Sequence, residues 1–119
     1  VKILMPYPPS ANRYLRHTGR GTYRTSTADC YRASVATRAR IAGACIIDGA
    51  ASLVATLHPK LTTKGTASKT CLDLDNCIKV LCDSLQGVCY ANDKQLRHIS
   101  LTIGDPIPGG GISVEVSPA

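Results

Sequence analysis

Apolar residues recur along the chain in two rhythms, one of period two and one close to 3.6, and the switches between them mark out six elements. "KILM" at Lys2–Met5 reads as a short strand that stops at "PYPPSANRY", where Pro6, Pro8 and Pro9 force an extended path and remove backbone donors. Ser26 or Thr27 opens a helix, with Asp29 in its first turn complementing the helix dipole. Tyr31, Val35, Ala39 and Ala42 fall on one face of it, Arg32, Arg38 and Arg40 elsewhere, and Gly43 marks its end. "ASLVATLHP" alternates as a strand closed by Pro59. In "CLDLDNCIKVLCDSL" Leu74, Ile78, Leu81 and Leu85 set a helix of about three turns before Gly87. "RHISLTIGDP" and "ISVEVSP" then alternate as two strands joined by the turn-rich "GDPIPGGG".

This order, strand-helix-strand-helix-strand-strand, predicts an α+β fold: a single small domain over residues 1–119, with a mixed β-sheet packed by two main helices. Two polar stretches stand outside the rhythm. Arg13 to Arg24 carries four arginines with Tyr14, Tyr23, Gly19 and Gly21 among them and reads as a flexible basic arm; "KLTTKGTASKT" reads as a basic loop. No internal repeat interrupts the pattern.

Charge changes the picture more than size does. The chain has 119 residues, enough for a modest core, and 14 Lys and Arg against 8 Asp and Glu, a net charge of +6 that favours a polyanionic partner. Up to residue 72 eleven basic residues face only Asp29 and Asp48; from residue 73 onward three face six acids. An acidic segment therefore sits inside a basic protein. No apolar run approaches the roughly 18 residues of a membrane span, and Val1 to Pro9 lacks the layout of a signal peptide, so the expectation is an intracellular protein with no membrane partner. The six cysteines form no C-x-x-C pair and no histidine stands at a zinc-finger offset, which favours free buried thiols over a structural zinc; Cys77 and Cys82 fit the helix pattern as small hydrophobes. His17, His58 and His98 form no usable pattern and receive no catalytic role.

The acidic segment carries the candidate chemistry. With a helix beginning just after Asp73, the residues Asp75, Lys79 and Asp83 fall at i, i+4 and i+8, opposite the apolar face. For Asp83 the reading is a solvated helix-face residue. Asp73 and Asp75 together ask for more than an N-cap, because neighbouring carboxylates raise one another's pKa unless a cation lies between them. A hard divalent ion, Mg²⁺ or Mn²⁺, relieves that repulsion and leaves room for water and phosphate. Asp93, in "YANDKQL", is a third carboxylate or an ordinary turn aspartate. Lys79 either steadies negative charge on a phosphate or pairs with Asp75 along the helix. An EF-hand loop fails, since Cys77 and Ile78 stand where an oxygen ligand and a glycine are required, and a sugar-nucleotide transferase needs far more chain.

"PPSANRYLRH" near the N-terminus, with "DLDNCIKVLCDSL" and then "NDKQL", resembles the RusA family of Holliday-junction resolvases, small endonucleases often encoded by phages and prophages. The resemblance runs over most of the chain in the right order. It implies a homodimeric, Mg²⁺-dependent endonuclease that binds four-way DNA junctions by shape and nicks two strands symmetrically, in the cytoplasm of a bacterial host or phage-infected cell. It also implies that Asp73, Asp75 and Asp93 are metal-binding carboxylates, that Lys79 is an essential lysine, and that Asn12 and Arg13 contact DNA or the active site. The chain departs from the family pattern at Leu72, where members often carry a basic residue, and at Asn92-Asp93, where they often carry two acids.

On this reading Arg13, Arg16, Arg20 and Arg24 of the arm, and Lys60, Lys64 and Lys69 of the loop, supply phosphate contacts that make binding steeply salt-dependent. With no Phe or Trp in the chain, wedging or stacking on junction bases falls to Tyr7, Tyr14, Tyr23 or Tyr90, or to Leu and Met. Two alternatives stay open: a nucleic-acid-binding module without catalysis, its carboxylates only capping and solvating the helix, and a nuclease that acts on other branched DNA.

Overall fold

The computed structural model describes residues 1–68 and 73–119. Strands β1 (Lys2–Met5), β4 (Ala51–His58), β5 (Leu96–Ile103) and β6 (Gly111–Pro118) form one sheet in the order β1-β6-β4-β5. β4 runs parallel to β5 and antiparallel to β6, which in turn pairs antiparallel with β1, so the sheet is mixed. Helices α2 (Ser26–Ile41) and α3 (Leu74–Leu85) pack on it, as the period-two and period-3.6 patterns require. The core gathers alternate residues of the central strand, Leu53, Ala55 and Leu57, with Ile112, Val114 and Val116 of β6 and Val35, Val80, Leu81 and Leu85 of the helices.

Helix α2 starts where Thr25 accepts a hydrogen bond from the Ala28 amide, and Asp29 lies in its first turn. It ends at Gly43, whose φ of 82° lets the Ala44 amide reach back to the Ala39 carbonyl and the Gly43 amide to that of Arg40, a Schellman closure. Tyr31, Val35 and Ala39 are buried as the pattern predicts, joined by Ala28; Ala42 is instead the exposed C-cap.

Three expectations change. The basic stretch is no loose arm: α1 (Ala11–Tyr14) leads into a hairpin of β2 (Leu15–Thr18) and β3 (Gly21–Arg24), closed by a tight turn at Gly19 and Arg20. Its strands carry no alternating apolar face, so the period-two signal that reveals a strand is missing, and Gly21 at φ 122° supplies the conformation the turn needs. Secondly, β5 and β6 are joined in sequence but do not pair, since β4 lies between them. The connection crosses the end of β4, with the Gly104 amide on the Leu57 carbonyl and the Ile107 amide on that of Pro59. Thirdly, Tyr14 and Tyr90 are fully buried core residues, so they cannot stack on bases; Tyr23 is exposed and Tyr7 half-buried.

Cys77, Cys82 and Cys89 are buried, the first two on α3 as small hydrophobes, but Cys30 and Cys45 are exposed free thiols, contrary to the expectation of buried ones. Burial pushes the Cys82 thiol up to about 11, with the Asp93 charge adding to it. No helix among the described residues is long and apolar enough to cross a membrane.

Candidate active site and basic surface

Helix α3 exists because Cys77, Val80, Leu81, Ser84 and Leu85 present a continuous buried stripe to the sheet, and that stripe turns the opposite face outward. Asp73 occupies the N-cap position in extended conformation, yet its side chain makes no capping hydrogen bond; only its carbonyl engages the helix, accepting from the Cys77 amide at 3.1 Å. Asp75 follows in the first turn, where the helix dipole favours a carboxylate. Both are exposed, as is Lys79 one turn further on. Among the described residues no ion pair joins Lys79 to Asp75.

Asp83 is the exception on this stripe. The reading of it as a solvated residue is overturned: its carboxylate takes Arg24 in a two-pronged pair, Nε to Oδ2 and Nη2 to Oδ1, each at 2.9 Å. Arg32 adds Nη1 to Oδ2 at 2.9 Å and to the Asp83 carbonyl at 3.0 Å, and the Tyr14 hydroxyl donates to the same Oδ2. Burial pushes this carboxyl up, but the hydrogen bonds from Arg24, Tyr14 and Arg32 outweigh it and hold the group at about 2. Burial, then the hydrogen bond to Asp83 and the charge of that carboxylate, push the Tyr14 hydroxyl up to about 12. The sequence signal for this hub was the i, i+4, i+8 spacing alone; its partners lie 51 to 69 residues away along the chain.

Asp93 opens a short 3-10 turn at Asp93–Gln95 that is held by a capping box: Asn92 accepts from the Lys94 amide at 2.9 Å, and Gln95 Oε1 from the Asn92 amide at 3.0 Å. Gln95 also donates to the carbonyls of Ile47 and Gly49, which pins this turn to the segment before β4. The Asp93 amide reaches the Gln86 side chain at 3.4 Å, so the turn sits at the C-terminal end of α3. From Asp75 to Gln86 the helix rises about 16 Å. Among the described residues no group of three or more His, Cys, Asp or Glu side chains is placed to hold one metal ion. Asp73 and Asp75 belong to the start of α3, and Asp93 to the turn that follows the helix.

The basic residues divide in the same way. Asn12 and Arg13 on α1, Arg16 on β2, Arg20 in the hairpin turn and Lys64 in the 60–68 loop are exposed. Arg13 and Lys60 meet at one open groove of about 490 Å³ lined also by Tyr7, Pro8 and Thr27, with the Lys60 ammonium 5.8 Å from the centre of the Tyr7 ring. Arg24 belongs to the Asp83 hub. Lys69, like Leu72, lies outside the described residues.

Residues 6–117 match the model of a family described as Endodeoxyribonuclease RusA. The chain is similar to a protein of Enterobacteria phage HK97 described as a crossover junction endodeoxyribonuclease, with 30% identity over 117 residues that cover 98% of this chain and 92% of the relative.

Proposed function

The chain belongs to the RusA family of endodeoxyribonucleases, and from that premise we propose that it is a divalent-metal-dependent, structure-selective nuclease that resolves four-way DNA junctions by paired symmetric nicks. Family membership makes it a nuclease of branched DNA in recombination and repair. The observation that carries the finer reading is the Asp73–Asp75 pair: two exposed carboxylates at the start of α3, one in the cap position without capping, in a chain of net charge +6.

Two hard oxygen donors with open surroundings fit Mg²⁺ or Mn²⁺, and Asp73 and Asp75 would hold the ion. When bound, it supplies Lewis-acid activation of a water and offsets the charge that builds on the phosphate. Lys79, exposed on the same face one turn from Asp75, would stabilise that developing charge. Asn12, Arg13, Arg16, Arg20, Lys60, Lys64 and Lys69 would bind backbone phosphates and orient the junction, giving affinity without sequence readout. A homodimer would present one such site to each of two symmetry-related strands. Asp93 is the third carboxylate that the resemblance implies. Its part is separately testable: Asp93→Asn should slow cleavage as Asp75→Asn does if it serves the site, and leave cleavage untouched if it serves only its turn.

The place of Asp75 in the first turn of α3, where a carboxylate offsets the helix dipole, favours, as a second reading, a DNA-binding module without cleavage. The deciding experiment incubates a labelled four-way junction, a replication fork, a flap and a linear duplex with wild type and Asp75→Asn, with and without Mg²⁺. Metal-dependent paired nicks on the junction, absent in the variant while binding persists, are the expected result. Tight junction binding without a cut in Mg²⁺ or Mn²⁺ would establish the module instead, and faster cutting of forks or flaps would change the substrate.

A further inference from the structure

We propose that Asp83 is a positioning residue that clamps the β2–β3 hairpin to α3, and that Arg24 is the clamp's other half rather than a phosphate ligand. This rests on the nuclease reading for its consequence, but on the hub for its geometry.

The hairpin needs such a fastening. β2 and β3 form a two-stranded sheet of their own with no neighbour in the main sheet, and every residue of the two strands except Leu15 is exposed. An isolated hairpin with so little buried surface is marginal by itself. Its attachment is concentrated at its base: Tyr14 is buried, Thr25 donates to the Arg13 carbonyl at 2.6 Å, and Arg24, paired in register with Leu15, reaches Asp83. Asp83 collects α1 through Tyr14, the hairpin through Arg24 and α2 through Arg32. A two-pronged guanidinium–carboxylate pair fixes orientation as well as distance.

The clamp stands on the stripe that carries the candidate chemistry. Asp83 lies one helical turn beyond Lys79 and two beyond Asp75, so whatever fixes the hairpin on Asp83 also fixes where its exposed Arg16 and Arg20 stand relative to those two residues. Positioning and electrostatics predict opposite signs for the loss of Asp83. Deleting an acid from a basic protein should by charge alone tighten its grip on a polyanion. Releasing the hairpin should loosen that grip, because Arg16 and Arg20 no longer engage together with the rest of the surface.

The test measures affinity for a labelled four-way junction without divalent metal between 50 and 300 mM NaCl, for wild type, Asp83→Asn and Arg24→Met, each checked by its melting curve to be folded at the assay temperature. The logarithmic salt slope rises by roughly 0.9 for each phosphate the protein neutralises, and is insensitive to how stable the folded protein is. Once Arg16 and Arg20 no longer reach the backbone, Asp83→Asn should bind roughly ten- to a hundredfold more weakly near 0.1 M salt, with a slope shallower by about 2, despite its added positive charge. Equal or tighter binding by Asp83→Asn with an unchanged slope would overturn the proposal. Arg24→Met leaves Arg32 and Tyr14 on Asp83, so it tests the same point if Asp83→Asn does not fold. A slope shallower by about 2 supports the clamp, whereas a drop near 0.9 makes Arg24 an ordinary phosphate ligand, and no change removes it from binding. Adding Mg²⁺ to the wild-type arm separates the two readings: no junction cleavage sinks the nuclease, while cleavage with normal binding by both variants sinks only the clamp.

Discussion

Protonating Asp83 should weaken the fold by the same amount as replacing it with asparagine, because a neutral carboxyl and a carboxamide share a shape and neither carries the charge that Arg24 and Arg32 grip. In the folded chain this carboxyl lies at about 2, against an ordinary 3.8. Between those values the unfolded chain holds more protons than the native one, so the stabilisation is fully present above about pH 4 and is lost as pH falls through about 2. A displacement of that size is worth about 2.5 kcal/mol for an unscreened group. With 29% of the Asp83 side chain and 41% of Arg24 exposed, solvent screening brings this to about 1–2 kcal/mol. For a chain of 119 residues that is about 4–8 °C in Tm. Calorimetry of wild type and Asp83→Asn at one protein concentration and at pH 6, 4, 3 and 2 should show wild type ahead by that margin at pH 6 and the two curves meeting near pH 2. Acids that titrate alike in both proteins cancel from the difference. A gap that stays constant down to pH 2, or a variant more stable than wild type at pH 6, would refute the ion-paired account of this residue.

Asp75→Asn should behave in the opposite way: the exposed side chain in the first turn is worth under about 1 kcal/mol to the fold, so Tm should barely move, while single-turnover cleavage of the junction falls by about a hundredfold or more and binding is kept or tightened. Arg20→Met, at the hairpin tip, should leave Tm unchanged and make the salt slope of junction binding shallower by about 0.9. Gly104→Ala should destabilise by about 1–3 kcal/mol in urea titration, because its Cβ would lie 2.5 Å from Thr56 Cγ2 on a strand whose backbone cannot retreat, and Thr56→Ser in that background should recover part of the loss.

The main elements were legible because each packs one face on the core and so writes its period into the chain. β4 alternates buried and partly exposed residues along its whole length, and α3 places its buried side chains at helical spacing. What stayed hidden had no such imprint. The hairpin is polar on both faces, so nothing in its pattern separates strand from loop. The insertion of β4 between β5 and β6 depends on pairing partners, and alternation reports a face without naming a neighbour. The carboxylates were visible as residues, yet where Asp93 stands follows from Gln95 and its bonds to Ile47 and Gly49, a tie across more than forty residues that spacing does not encode.

Compensation, more than spacing, separates the acids of α3. Asp75 and Asp83 share a stripe, a residue type and a basic protein around them, yet one meets two guanidinium groups and a phenol and the other meets solvent. A carboxylate held at about 2 by three donors has its lone pairs committed and is a poor ligand for a further cation. An exposed carboxylate beside a second one keeps its oxygens open to a ligand and gains from a cation, because their mutual repulsion is relieved when it binds. The same divalent ion added to wild type should therefore raise Tm through Asp73 and Asp75 and leave the Asp83 difference at pH 6 unaltered. A metal-induced Tm rise that survived Asp75→Asn but vanished in Asp83→Asn would reverse the two roles.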